Sequence, residues 1–250
     1  MWQPAADTGL VTGIVARAGA PAGIAGPALF TGAWMVSSLR QTGHRAADIQ
    51  ISGLAAPDAR DPWIMIAGFL VLGGCSLAFG TVLHDALGGR DQAGLAPRLI
   101  QGAGVLTIAA GLLRRDHMLL TSGGASWHNH AHDVISVLIY ADLVVAQLVL
   151  AKRFGRDAAN QGQPHPGWRR WRRWLLASAW VTTGLLITFA AGTSAPDAGV
   201  LQRATVTVPL AVVTTIAIRL TREPARPAGN PTPHAYDPAP RACGPAPTPS

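Results

Sequence analysis

The chain has 250 residues, of which 49% are hydrophobic and 13% are charged. Soluble domains average roughly 25% charged residues, so this composition argues against a protein that folds wholly in water. The net charge of +7 is almost all arginine and is dispersed between apolar stretches, which argues against a nucleic-acid-binding domain. A preference for arginine, with abundant Ala, Gly and Pro, is typical of a GC-rich bacterial genome.

Six apolar stretches predict transmembrane helices. A hydrocarbon core of about 30 Å requires roughly 20 helical residues at 1.5 Å each. The predicted spans are about 18–39, 63–83, 99–113, 134–151, 174–193 and 204–218. We therefore predict an all-α fold, a polytopic membrane helix bundle of about six transmembrane helices with a disordered C-terminal tail.

The first and third spans differ from an ordinary transmembrane helix in composition or length. The first contains Pro21 and Pro27, which membrane helices tolerate. No basic residue precedes Arg17, unlike the charged start of a signal peptide, so we expect an uncleaved helix. The third span is short, but arginines at its ends can extend to the lipid headgroups.

The distribution of basic residues predicts the orientation. With six spans, 14 of the 20 Lys and Arg residues fall on the side of the N-terminus, the second and fourth loops and the tail, and 6 fall on the other side. Positive loops face the cytoplasm. We expect a multi-pass protein of the cell (plasma) membrane with both termini cytoplasmic.

The chain divides into a six-helix transmembrane domain, 1–222, and a tail, 223–250. Nine of the 19 prolines lie in the tail, which shows no apolar periodicity. Such a composition predicts a Pro-rich disordered segment, cytoplasmic on the orientation above.

The fourth loop carries arginines interleaved with tryptophans between Trp168 and Trp174. Basic residues beside a membrane each add about 1 kcal/mol of attraction to anionic lipid. We interpret the segment as a lipid-facing anchor with an anionic lipid surface as its partner, and not as a nucleic-acid patch. Membrane lipids are the expected partners, and composition does not indicate an oligomeric state.

The polar residues predicted on the outer side form a candidate binding pocket. Polar groups at membrane depth cost several kcal/mol unless they are paired, so they are candidates for function. The candidates are Ser52, Arg115, Asp116, His128, His132, Asp133, Gln202 and Arg203. We expect Arg203 to pair with Asp116 or Asp133.

Two of these histidines have a spacing that could serve a metal. If the fourth helix begins near Trp127, His128 and His132 lie on one face, four residues apart. With Asp116 they could bind zinc, although histidines hydrogen-bonded to water and carboxylates are the simpler interpretation. We expect no cofactor otherwise.

Four segments resemble one family of prokaryotic membrane proteins, grouped as domain of unknown function (DUF) 998. They are Gly-Pro-Ala-Leu-Phe at 26–30, Asp-Ile-Gln-Ile-Ser-Gly-Leu at 48–54, the Arg115-Asp116 and His132-Asp133 pairs, and Gly-Val-Leu-Gln-Arg at 199–203. The resemblance covers roughly residues 15–220 and implies a six-helix membrane fold without an established activity. The family pattern usually has an acidic residue where this chain has Gly53, and an aromatic and a small residue where it has Arg114-Arg115.

Three functions fit these features. The first is a non-enzymatic membrane protein whose outward-facing Asp/His/Arg pocket binds a lipid headgroup or small solute. The second is a metal-dependent intramembrane hydrolase acting on a lipid, with Ser52, Asp116, His128 and His132 around a metal-bound water. The third is a small transporter subunit, for which Asp142 is the charged residue within a span.

Overall fold

The computed structural model describes residues 8–43, 45–87, 94–119, 125–160, 166–192 and 197–222. Side chains are described from Gly19 onward, except those of 157–160, 166 and 168. The predicted tail, 223–250, lies outside the described residues.

Six long helices make up the described chain, which contains no strand. They are α1 (Thr8–Arg40), α2 (Pro62–Ala86), α3 (Leu95–Leu112), α4 (Trp127–Asn160), α5 (Pro166–Ala191) and α6 (Ala198–Arg222). Each contains a segment long and apolar enough to cross a membrane. The predicted all-α bundle of six spans is confirmed.

Each helix packs against the next in sequence, and α6 also packs against α1, which closes the bundle into a ring. Glycines allow the closest approaches: a Cβ on Gly104 would meet the backbone oxygen of Gly73 at 2.8 Å. Large apolar side chains such as Leu29, Val105 and Trp180 are exposed on the outside of the ring. An apolar exterior is the arrangement expected of a bundle in lipid.

Helices α4 and α5 both begin before their predicted apolar spans, and α4 begins at Trp127, the start that the histidine spacing assumed. Residues 127–133 are mostly polar but helical. Ser126 precedes the helix, and its Oγ accepts a hydrogen bond from the backbone N–H of Asn129 at 3.4 Å. Helix α5 begins at Pro166, since proline suits the first turn of a helix. Trp174 therefore lies two turns inside the helix and not at its start.

The segment between α1 and α2, residues 41–61, folds inward between the helices. Ile49, Ile51 and Leu54 are almost completely buried, and residues Ser52–Ala55 form a short 3₁₀ helix. They share an apolar cluster with Phe30 of α1 and Phe69 of α2. We call this segment loop one. It closes one end of the bundle, which we call the loop-one end.

The opposite end of the bundle, where α4 ends and α5 begins, carries most of the described basic residues. We call it the basic end. A second apolar cluster lies towards it, built around Phe79, Leu83, Leu150 and Leu175. The two ends thus have separate cores, and the predicted polar residues lie at the loop-one end.

Candidate functional site

Arg115 is the centre of a buried polar network at the loop-one end. Its side chain is 7% exposed, and it donates to Gln50 Oε1 at 2.5 Å and to Asn129 Oδ1 at 3.4 Å. Its guanidinium also lies 3.6 Å from Asp133 Oδ1, and Asn129 donates to the other Asp133 oxygen at 3.1 Å. The network therefore ties loop one to the α3–α4 connection and to the first turns of α4.

The charge of Arg115 is balanced locally. Burial lowers the pKa of Arg115, while the carboxylates of Asp133 and Asp116 oppose that shift. An arginine keeps its charge in proteins, so the network holds a permanent cation beside its acids. These contacts fit a structural role, because the guanidinium is satisfied by the protein itself.

Asp116 supports the start of α4. Its carboxylate accepts the backbone N–H of Ser126 at 2.7 Å and the Ser126 hydroxyl at 2.6 Å. Those two hydrogen bonds, followed by weaker attraction from His117 and His128, lower the pKa of Asp116. The carboxylate is therefore ionised at neutral pH and holds the serine that caps the helix.

An open cleft of about 610 Å³ lies beside this carboxylate, lined by Pro57, Leu112, Arg114, Arg115, Asp116, His117, Ala125, Ser126 and His128. His117 pairs with Asp58 at 3.4 Å, and Asp58 also accepts the backbone N–H of Met118 at 2.7 Å. The one acid in the described lining, Asp116, is therefore already engaged by Ser126, and the lining residue His117 is engaged by Asp58.

His128 and His132 occupy different environments despite their helical spacing. His128 is exposed, and its ring stacks on Trp127 with centroids 3.8 Å apart. His132 is 2% exposed and lies inside the bundle. Among the described residues no three His, Cys, Asp or Glu side chains are grouped as metal ligands. The geometry does not assemble the zinc set of His128, His132 and Asp116.

His132 caps the end of α3. Its Nδ1 lies 2.8 Å from the carbonyl oxygen of Leu113 and 3.0 Å from that of Ala110. Both carbonyls can only accept, so Nδ1 carries the hydrogen, and in the uncharged ring Nε2 is an acceptor. Nε2 is buried and has no hydrogen-bond partner among the described residues. Nδ1 of this histidine thus has a structural role, whereas the hydrogen-bonding capacity of Nε2 is unsatisfied.

A small cavity of about 50 Å³ lies beside His132 within the bundle. Its polar lining consists of Ser52, Thr107, His132, Ser136, Tyr140 and Gln202. Aromatic and aliphatic side chains, including Phe30, Phe69 and Val206, complete the wall. The described lining contains no Asp, Glu, Lys or Arg, so the cavity suits an uncharged group.

Gln202 joins α6 to loop one at this cavity. Its Oε1 accepts the backbone N–H of Ile51 at 2.5 Å, and its Nε2 lies 3.5 Å from Ser52 Oγ. All three residues are buried. Ile51 precedes the short 3₁₀ helix, so its backbone N–H has no partner within a helix, and Gln202 supplies one.

Arg203 does not pair with Asp116 or Asp133, contrary to the prediction. It donates to the carbonyl oxygen of Ile49 and to Ser38 Oγ, each at 2.9 Å. Its guanidinium also lies 5.2 Å from the ring centre of Trp34. A guanidinium can donate to carbonyl and hydroxyl oxygens and stack on an aromatic ring, so Arg203 links loop one to α1 and α6 without an acid.

The residues of the predicted pocket are therefore divided between an internal cavity, a surface cleft and contacts outside both. Ser52, His132 and Gln202 line the internal cavity, whereas Arg115, Asp116 and His128 line the surface cleft. Arg203 lies at neither. Asp133 belongs to the network around Arg115.

Sequence reasoning missed several residues that shape this end. Gln50 and Asn129 hold Arg115, and Tyr140 lines the cavity one helical turn beyond Ser136. A hydrogen-bonding residue between apolar positions, such as Gln50 between Ile49 and Ile51, was the available signal for a buried polar contact.

Two glycines at the loop-one end occupy positions without room for a side chain, and one of them, Gly53, is a departure from the family pattern. A Cβ at Gly53 would collide with the backbone oxygen of Met118, and one at Gly199 would collide with the backbone oxygen of Ile49. No side chain, acidic or otherwise, fits at Gly53 in this arrangement. The backbones of loop one, the α3–α4 connection and α6 are therefore in direct contact.

Asp142, the charged residue predicted within a span, lies in α4 facing α3. A Cβ on Gly102 would stand 2.9 Å from its Oδ2. The side chain is half-buried and is not part of the cavity lining. The residue thus sits at a helix–helix contact, and Gly102 leaves space for it.

The basic end has a different arrangement. Trp171 and Trp174 of α5 are half-buried, and Phe154 and Arg219 pack against Trp171 at 6.2 and 5.2 Å. Arg169, Arg170, Arg172 and Arg173 are exposed. These two tryptophans therefore face neighbouring helices, and the arginines provide the outward surface.

Searches of curated proteins and of solved structures gave no match. A family model described as protein of unknown function, DUF998, matches residues 24–219, from within α1 to the last turn of α6. The match includes all of α2 to α5, loop one and most of α6, together with the second half of α1. The chain therefore belongs to the DUF998 family and is a multi-pass integral membrane protein.

Proposed function

We propose that this protein is a non-enzymatic membrane protein that binds the uncharged, hydrogen-bonding head of a small amphiphile in the cavity beside His132. The observation that carries the proposal is the buried Nε2 of His132, which has no partner among the described residues. An unsatisfied buried polar atom costs about 1–3 kcal/mol, and a ligand hydroxyl would remove that cost.

The cavity wall supports this ligand class. A volume of about 50 Å³ accommodates a few water molecules or one small polar group, and the wall contributes hydroxyl, amide and imidazole groups. Phe69 and Leu72 offer apolar contact to the rest of an amphiphile. A charged headgroup would meet no counter-charge in the described lining, so a neutral alcohol of the acylglycerol type fits best.

The hydrolase alternative has no comparable support. Its four residues divide between the cavity, with Ser52 and His132, and the surface cleft, with Asp116 and His128. The carboxylate of Asp116 is already occupied by Ser126. We therefore propose binding and not hydrolysis as the function.

Native mass spectrometry of protein released from phosphatidylcholine nanodiscs containing monoolein tests the proposal. We expect wild type and His130→Phe to retain monoolein and His132→Phe to lose it, since His130 is exposed on the same helix. Thermal unfolding in the same nanodiscs checks that each variant is folded. Equal retention by folded His132→Phe, or none by wild type, would refute the proposal.

We further propose that the loop-one end faces the exterior of the cell membrane. The excess of basic residues at the opposite end supports this orientation. In a background without Cys75 and Cys243, Thr42→Cys should react with a membrane-impermeant maleimide in intact cells. Arg170→Cys should react only after lysis, and the reverse pattern would show the opposite orientation.

A further inference from the structure

A groove between α4 and α5 at the basic end has an unusual concentration of positive charge. It is open, about 830 Å³ in volume, and is lined by Lys152, Arg156, Arg169, Arg172 and Arg173 together with Leu148, Ala151, Gly155 and Leu176. The described lining contains five basic residues and no carboxylate. Charge of one sign at this density favours an anionic ligand.

Helical periodicity places these cations on two facing surfaces. Leu148, Lys152 and Arg156 are spaced by four residues along α4. Arg169, Arg172, Arg173 and Leu176 follow the three- and four-residue spacing along α5. The ligand is therefore expected between two helices and not on the flat surface of one.

Gly155 brings the two surfaces together. A Cβ at this position would lie 3.1 Å from Cδ and 3.2 Å from Nε of Arg172. The guanidinium-bearing side chain thus crosses close to the α4 backbone. Within the described part of the chain, no carboxylate lies within 4 Å of a side-chain nitrogen of Lys152, Arg169, Arg172 or Arg173.

The depth of the groove identifies the kind of anion. Its cations lie at the ends of the spans Trp127–Arg156 and Arg169–Ala191, whereas Leu148 and Leu176 lie farther inside them. An occupant therefore meets positive charge at headgroup depth and apolar side chains below it. A phospholipid satisfies both requirements, whereas a soluble anion would use only the charged part.

We propose that the α4–α5 groove is a binding site for an anionic phospholipid carrying two phosphates. Within the described residues, four of the lining cations have no carboxylate within 4 Å, and their charge exceeds the single negative charge of one phosphodiester. Basic pockets between transmembrane helices characteristically hold such headgroups. This site is at the opposite end from the His132 cavity, so it is independent of the function proposed above.

Native mass spectrometry from nanodiscs containing cardiolipin, phosphatidylglycerol or phosphatidylcholine tests the site. We expect retention to fall in that order. The double variant Arg172→Gln/Arg173→Gln should bind cardiolipin about 30-fold more weakly, at about 1 kcal/mol for each lost cation. Arg45→Gln/Arg114→Gln, which removes two exposed arginines from the loop-one end, should bind like wild type.

Two further measurements keep the result interpretable. Arg172→Lys/Arg173→Lys should recover most of the cardiolipin binding, and equal unfolding temperatures in phosphatidylcholine should show that the variants are folded. Equal retention of cardiolipin and phosphatidylglycerol would contradict the two-phosphate assignment. The proposed phospholipid site would be overturned if folded Arg172→Gln/Arg173→Gln bound cardiolipin like wild type. It would also be overturned if inorganic diphosphate displaced the lipid.

Discussion

The best-held arginines of the loop-one end and the exposed arginines of the basic end have different surroundings. At the loop-one end, Arg115 and Arg203 are held by protein groups: Gln50 and Asn129 for the first, Ile49 and Ser38 for the second. At the basic end, four arginines near the start of α5 are exposed. The first two arginines thus stabilise the fold, whereas the four at the other end form an exposed basic surface, for which we proposed a lipid partner above.

The difference arises from the segments that form each end of the bundle. Loop one enters the bundle with unpaired backbone groups, which Gln202 and Arg203 satisfy. Helices α4 and α5 supply their own backbone hydrogen bonds. Arg153 of α4 donates to the backbone oxygen of Leu87 at 2.8 Å, whereas the arginines at 169, 170, 172 and 173 are exposed. A substitution at the loop-one end should therefore affect stability, and one at the basic end should affect binding.

The largest expected contrast is between glycines of the two ends. Gly53→Ala should destabilise the protein by about 1–3 kcal/mol, because the new Cβ meets the backbone oxygen of Met118, which cannot move aside. Gly155→Ala meets the flexible side chain of Arg172 and should cost less than about 0.5 kcal/mol. Thermal unfolding in detergent measures both, and equal losses would erase the distinction.

The next contrast, whose expected size overlaps with that of the glycines, is between neighbouring arginines at the loop-one end. Arg115→Gln removes the contacts to Gln50 and Asp133 and should cost about 1–3 kcal/mol. Arg114 is exposed, so Arg114→Gln is the matched control and should leave the unfolding temperature almost unchanged. If both substitutions had the same effect, Arg115 would not be a structural residue.

The smallest effect concerns pH. The Ser126 hydrogen bonds lower the pKa of Asp116, so its ionised form adds stability that is complete above the unfolded pKa. That contribution is lost as pH falls through the lower, folded pKa. Ser126→Ala should raise the pKa of Asp116 towards its ordinary value and reduce the acid dependence of unfolding temperature. Asp116→Asn should abolish the same component, and an unchanged acid limb in both variants would contradict the assignment.

The number, type and order of the helices followed from the sequence, because an apolar run of about 20 residues has few alternatives to a membrane span. Helix ends were less predictable. Polar residues 127–133 and 166–173 are helical because the hydrogen bonds within a helix do not depend on apolar side chains. A cap at Ser126 and a proline at Pro166 were the local signals for these starts.

The sequence predicted which polar residues lie at the loop-one end better than it predicted their contacts. Ser52, His132 and Gln202 do share a cavity, but Arg203 took carbonyl, hydroxyl and aromatic partners in place of an acid. Spacing along a chain does not reveal which partner a long side chain reaches. The inward folding of loop one, signalled by the apolar Ile49, Ile51 and Leu54, determined that outcome.

Unfolding in nanodiscs of different lipid composition tests the contrast between the ends most directly. Arg115→Gln should lower the unfolding temperature equally in phosphatidylcholine and in cardiolipin-containing nanodiscs. Arg172→Gln/Arg173→Gln should match wild type in phosphatidylcholine and lose only the extra stability that cardiolipin gives to wild type. The account would be contradicted if Arg115→Gln depended on lipid composition or if the double variant were equally destabilised in both lipids.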